Sequence, residues 1–140
     1  MRRDDGSALV EFVLIGVVLL VPLVYLIMFA ASVQRTAFAV TGAVRDAGRA
    51  YTAAGSDAEG RARAALAAKL TLQGSHVDLA PDALVISCTP EPCAYAPGSA
   101  VTVRLRVDVH LLGFGVVPVR AHHTERIDCH AAGQPQAGTC

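Results

Sequence analysis

Gly6-Ser7-Ala8-Leu9-Val10-Glu11-Phe12-Val13-Leu14-Ile15 begins an apolar run that reaches Gln34 with no charged side chain after Glu11. As a helix, residues 12–34 measure roughly 35 Å at about 1.5 Å per residue, enough to cross a hydrocarbon core of about 30 Å. The stretch therefore reads as a single membrane span. A cleavable secretory signal has an apolar region of about 7 to 15 residues, and this run is longer, although Ala37-Phe38-Ala39 has A-x-A spacing. Arg2 and Arg3 stand in front of the run, so the positive-inside tendency keeps the first residues in the cytoplasm and sends the rest outward; Arg35 is one opposing charge. Pro22, near the middle, lacks the N–H of a helical ladder. It predicts either an ordinary bend or a kink that helps the segment leave the bilayer.

Glu11 is the residue that asks for a reason. A carboxylate in the hydrocarbon costs on the order of 3 kcal/mol, less near the interface. A solvated end of the span is one reading. The other comes from its neighbours, because a glycine, a small polar residue and a lone carboxylate at the edge of a membrane-length helix form the layout of a prepilin processing site. Were the Gly6–Ser7 bond cut, the new α-amino group of Ser7 would lie one helical turn from Glu11. Cation and anion could then pair in a low dielectric and fix register between neighbouring chains.

Gly6-Ser7-Ala8-Leu9-Val10-Glu11-Phe12, followed by residues 13–29, resembles the start of TadE-like proteins, minor pilin-like subunits (pseudopilins) of tight-adherence (type IVc) pili. Further along, Ala43-Val44-Arg45-Asp46-Ala47-Gly48-Arg49-Ala50-Tyr51 is similar to the Ala-Arg-Glu-Gly-Ala-Arg-Tyr stretch of that family. The resemblance implies cleavage after Gly6 by a membrane prepilin peptidase and an assembly role for Glu11. It also implies other pilin or pseudopilin subunits and an inner-membrane assembly platform as partners. Phe12 departs from the tyrosine usual at that position in the major pilins, which are also much shorter; this favours a minor subunit. Larger TadG-like relatives carry a long extra extracytoplasmic domain, for which 140 residues leave no room.

Composition fits one small domain behind the span. With 140 residues in all, the part outside the bilayer amounts to about 100 and can bury only a modest core. The hydrophobic fraction of 53% and the mean hydropathy of +0.44 come largely from the span and an alanine-rich stretch. Twelve basic and 12 acidic residues balance to +0, and no basic run occurs, so nothing in the sequence suggests nucleic acid as a partner. Cys88, Cys93, Cys129 and Cys140 all follow the span, on the side where disulfides persist. Four cysteines allow three connectivities. The turn-prone insert Thr89-Pro90-Glu91-Pro92 favours Cys88 with Cys93, leaving Cys129 with Cys140. Free thiols, or a zinc site drawing on His122, His123 and His130 near Cys129, are the competing readings; the ligand spacing is irregular for zinc.

Beyond the span the period of the apolar residues organises the chain. Val40, Val44, Ala47, Tyr51 and Ala54 recur every three or four residues opposite Arg45 and Arg49, so the helix is expected to continue to about Tyr51. Gly55 ends it. Ser56 with Glu59 predicts a capping box for a second helix that ends at Gly74, with Ala58, Ala62, Ala65, Leu66 and Leu70 as its mostly alanine apolar face and Leu72 nearby. Residues 83–87 are a short strand candidate. Val101, Val103, Leu105, Val107, Val109 and Leu111 alternate with polar residues, as do Val117, Val119, Ala121, His123, Glu125 and Ile127; the two runs predict an antiparallel hairpin across Gly113-Phe114-Gly115. The expected fold is α+β: a leader at 1–6, a membrane-spanning and packing helix at 7–34, an amphipathic helical region at 35–73 and a small extracytoplasmic β domain at 74–140.

No Walker loop, G-x-S-x-G or H-E-x-x-H occurs, and no G-x-G-x-x-G follows a strand. Asp78 and Asp82 flank a proline-containing turn, a setting for solvated carboxylates rather than a catalytic pair, and His122 and His123 read as surface residues on opposite faces of a strand. The expectation is a structural subunit with no enzymatic activity, no metal and no cofactor. The alternative is a signal-anchored single-pass protein whose extracytoplasmic domain binds a ligand or metal.

Overall fold

The computed structural model describes residues 5–93, 95–96, 98–111 and 115–128. Helix α1 (Asp5–Thr52) is followed by helix α2 (Asp57–Gln73) and by strands β1 (Leu84–Thr89), β2 (Ala100–Leu111) and β3 (Gly115–Arg126). The strands form one antiparallel sheet in the order β1-β2-β3. This is the α+β arrangement expected from the sequence.

α1 contains 48 residues and is one unbroken helix through Pro22, about 72 Å long at ~1.5 Å per residue. Its two halves differ in what surrounds them. Between Val10 and Ser32 nearly every side chain is exposed, whereas from Thr36 onward a stripe is buried. Val40, Val44, Ala47, Tyr51 and Ala54 form that stripe, with Arg45 and Arg49 on the solvent side, as the spacing predicts. Small residues set how closely the neighbours approach. A Cβ on Gly42 would sit 3.6 Å from the Thr71 methyl on α2, and one on Gly48 would sit 3.3 Å from His123 Cδ2 on β3. α1 therefore has α2 against one side and the sheet against another.

Ser56 caps α2 from an extended backbone (φ −158°), its hydroxyl accepting from the Glu59 N–H at 3.3 Å. The Glu59 carboxylate reaches back to the Gly55 N–H at 3.1 Å, one residue before the cap. The capping reading of the sequence holds, but the apolar face assigned to α2 does not. Ala58, Ala62, Ala65, Leu66 and Leu70 are exposed, and Gly60, Ala64, Ala68 and Leu72 are buried. The reason lies in the gap available. α2 approaches so closely that Gly60 lies against the Tyr51 ring, where a Cβ would stand 2.9 Å from Cδ2. At that closest point only a residue without a side chain fits, and Ala64, Ala68 and Leu72 follow Gly60 at four-residue spacing on the same face.

In the sheet, Leu84 pairs with Leu105 and Thr89 with Ala100, while Ala100 pairs with Arg126 and Leu111 with Gly115. Val101, Val103, Leu105, Val119 and Ile127 point inward and join the α1 stripe, Ala64, Ala68 and Leu72 in one core. Arg104, Arg106, Arg120, His122 and Arg126 are all exposed, and cross-strand pairing sets Arg104 opposite His122 and Arg106 opposite Arg120. Alternation at period two produced this division, and the sequence reading of it stands.

Candidate functional site

The sequence points first to the start of α1. Gly6 and Ser7 lie in its first turns, with helical backbone. Glu11 follows Ser7 by four residues, the spacing that stacks two positions on one helical face. Its carboxylate is exposed, and it pairs with no described residue. Around it Val10, Phe12, Leu14 and Ile15 are exposed as well. α1 is thus long and apolar enough over this part to serve as a single-pass membrane anchor. At Pro22 the absent N–H leaves the Val18 carbonyl without its helical donor, yet the helix carries on above and below.

A second grouping ties the far end of α1 to everything else. Tyr51 is fully buried and its hydroxyl donates to the Asp57 carboxylate in the first turn of α2. Arg61, one turn on, donates through Nε to both carboxylate oxygens, at 2.9 and 3.1 Å. Its other nitrogens reach the β1 side, Nη2 lying 3.1 Å from Cys93 Sγ and Nη1 3.5 Å from the Ile86 carbonyl. Cys88 and Cys93 form a disulfide with Cα atoms 5.1 Å apart, within the usual span for such bridges. Cys88 Sγ lies 3.7 Å from the Tyr51 hydroxyl. Tyr95 completes the group: its hydroxyl donates to the Thr52 carbonyl at 2.6 Å and to that of Ala54, and its ring centroid is 5.9 Å from that of Tyr51.

Electrostatics follow from this geometry. Burial pushes the Tyr51 phenol well above its ordinary value, and the hydrogen bond to the Asp57 carboxylate and its charge add to the rise. Hydrogen bonds from Tyr51 and then from Arg61 hold the Asp57 carboxyl below its ordinary 3.8. Burial, then the Glu59 charge, raises Tyr95. A buried phenol, a stabilised carboxylate and a guanidinium that shares its Nε–H between both carboxylate oxygens make a lock between elements.

The pairing Cys88 with Cys93 is the one the turn-prone insert favours. Cys129, Cys140 and His130 lie outside the described residues. Asp57, Cys88 and Cys93 bring three ligand-type atoms within 4.8 Å of one another, but a disulfide offers no thiolate to a metal. His122 and His123 do face opposite ways, as a strand requires. His123 is not the surface residue the sequence suggested, however. It is half-buried beside Gly48, with Nε2 2.6 Å from Glu125 Oε2, because β3 presents it to α1. Asp78 and Asp82 are exposed in the turn region before β1.

Sequence reasoning noticed Tyr51 as the end of a motif and missed its partners. Asp57 and Arg61 at i, i+4 were the available signal; Tyr95 had none, being joined to α1 only by the fold. No family model, no curated protein and no solved structure matches the chain.

Proposed function

We propose that this chain is a pilin-like structural subunit of the TadE-like kind, non-enzymatic, and used in the assembly of a tight-adherence pilus. The supporting observation is that the segment with the processing layout and the soluble domain share one continuous helix, Asp5–Thr52. Such a helix can pass from lipid into a bundle of like helices without refolding, since away from its two ends every backbone group but the one opposite Pro22 is satisfied within it. Cleavage after Gly6 by a prepilin peptidase leaves Ser7 as the amino terminus. Glu11 of one chain then pairs with the Ser7 amine of the same or a neighbouring chain as lipid is exchanged for protein. Arg2 and Arg3 keep the leader cytoplasmic and send the sheet outward.

A charge-pairing role separates this reading from a plain anchor. Glu11→Ala in the full chain, co-expressed with a prepilin peptidase and an assembly platform, is expected to insert and be cut as before but to be lost from the sheared filament fraction. Full recovery of Glu11→Ala in that fraction would rule out the pairing role.

A further inference from the structure

The ends of β2 and β3 where Leu111 pairs with Gly115 stand at the end of the packed domain nearest the apolar run of α1. Three placements along α1 show this. At the far end, the Tyr95 hydroxyl bonds the Thr52 carbonyl at 2.6 Å and the Gly98 N–H bonds the Ile127 carbonyl at 3.0 Å, so β3 finishes beside the end of the helix. Midway, Gly48 meets His123. Near the apolar run, Thr36 lines the same cleft as Val107, Val109 and His110 of β2. From His123 back to Val117 the strand covers roughly 20 Å at about 3.3 Å per residue. The same distance down α1 from Gly48 is roughly 13 residues at about 1.5 Å each, which arrives at Arg35. Val116 and Val117 are therefore level with the last residues of the span.

Both valines are uncovered there. Val116 is 51% and Val117 38% exposed, against 8% for Val119 and 2% for Ile127 higher up. Phe38, on α1 just above the run, is 79% exposed. Residues 111–119 contain no charged side chain. We propose that this end of the hairpin is a second membrane contact, in which Val116, Val117 and Phe38 enter the interfacial layer of the bilayer that α1 crosses. The inference rests on the reading of α1 as a membrane span.

Lipid is the occupant because the uncovered side chains stand at the height where the exposed apolar run of α1 ends. Arg35 and His110, both exposed at this level, suit the headgroup layer, where cationic and amphipathic side chains gather. A lone helix leaves its domain free to turn and tilt about the helix axis. A second apolar contact to one side sets both, and extraction from the bilayer has to lift the hairpin together with the helix.

The chain has no tryptophan, so single-tryptophan variants of the full-length protein report depth without background. In phosphatidylcholine and phosphatidylglycerol vesicles with brominated acyl chains, Val18→Trp reports the span and Thr124→Trp, exposed on the outer face of β3, reports water. Val116→Trp and Phe38→Trp are expected to show blue-shifted emission and bromine quenching, with Thr124→Trp unquenched. Quenched Val18→Trp with both Val116→Trp and Phe38→Trp behaving like Thr124→Trp would overturn the hairpin contact alone. Unquenched Val18→Trp would overturn the span, and the inference with it.

Discussion

Tyr51 concentrates the chemistry of the soluble domain in one phenol. It ends the motif on α1, fills the space over Gly60 and donates to Asp57. Its raised pKa has a stability consequence with a definite sign. Above its ordinary value of 10.0 an unfolded chain loses this proton while the folded chain keeps it. The folded state then binds more protons, so the contribution of Tyr51 is whole below that pH and falls as pH rises beyond it. Asp57 works oppositely: its depressed pKa adds stability above 3.8 that is lost as the solution is acidified further. Thermal unfolding of the full chain in detergent, followed by its strand signal, is expected to fall more steeply above pH 10 in the wild type than in Tyr51→Phe. Equal slopes would remove the buried phenol from the account. Tyr95 keeps part of the alkaline dependence in both proteins, since burial raises it too.

Among the elements, the contact between α1 and α2 is decided by what is missing at position 60. Replacing a helical glycine by alanine ordinarily gains about 1 kcal/mol, whereas forcing a methylene into a packed core loses about 1–3 kcal/mol. With the Tyr51 ring fully buried and only 2.9 Å from the new methyl, the loss outweighs the gain. Gly60→Ala is expected to lower unfolding stability by about 1 kcal/mol, and in a Tyr51→Leu background to do so less or to stabilise. A stabilising Gly60→Ala in the wild type would contradict the packing. The same site explains what could be read beforehand. β2 announces itself because Val101, Val103 and Leu105 alternate with Thr102, Arg104 and Arg106, a contrast that assigns faces by itself. α2 has alanine on most of its faces, so periodicity cannot distinguish the buried Ala64 and Ala68 from the exposed Ala62 and Ala65. The answer rests on Tyr51, outside the helix. The lock was hidden for a related reason: Tyr51, Asp57 with Arg61, and Cys93 with Tyr95 lie on three separate segments, and only the closed fold makes them neighbours.

For the whole molecule, a single helix carries two environments end to end, exposed apolar side chains along one half and a packed core along the other, with the sheet held beside the packed half. The Gly6 to Glu11 layout and the length of the apolar run were legible in the sequence because both are local. How the soluble domain stands on the helix was not, since it follows from long-range pairings such as Gly48 with His123. The proposal that joins these parts is that α1 begins as a processed assembly helix. Its most direct test is the intact mass and amino-terminal sequence of the full chain extracted from membranes, made with and without an active prepilin peptidase. A chain that starts at Ser7 only when the peptidase is active is the expected result. One that keeps Met1 through Gly6 in its presence would contradict it.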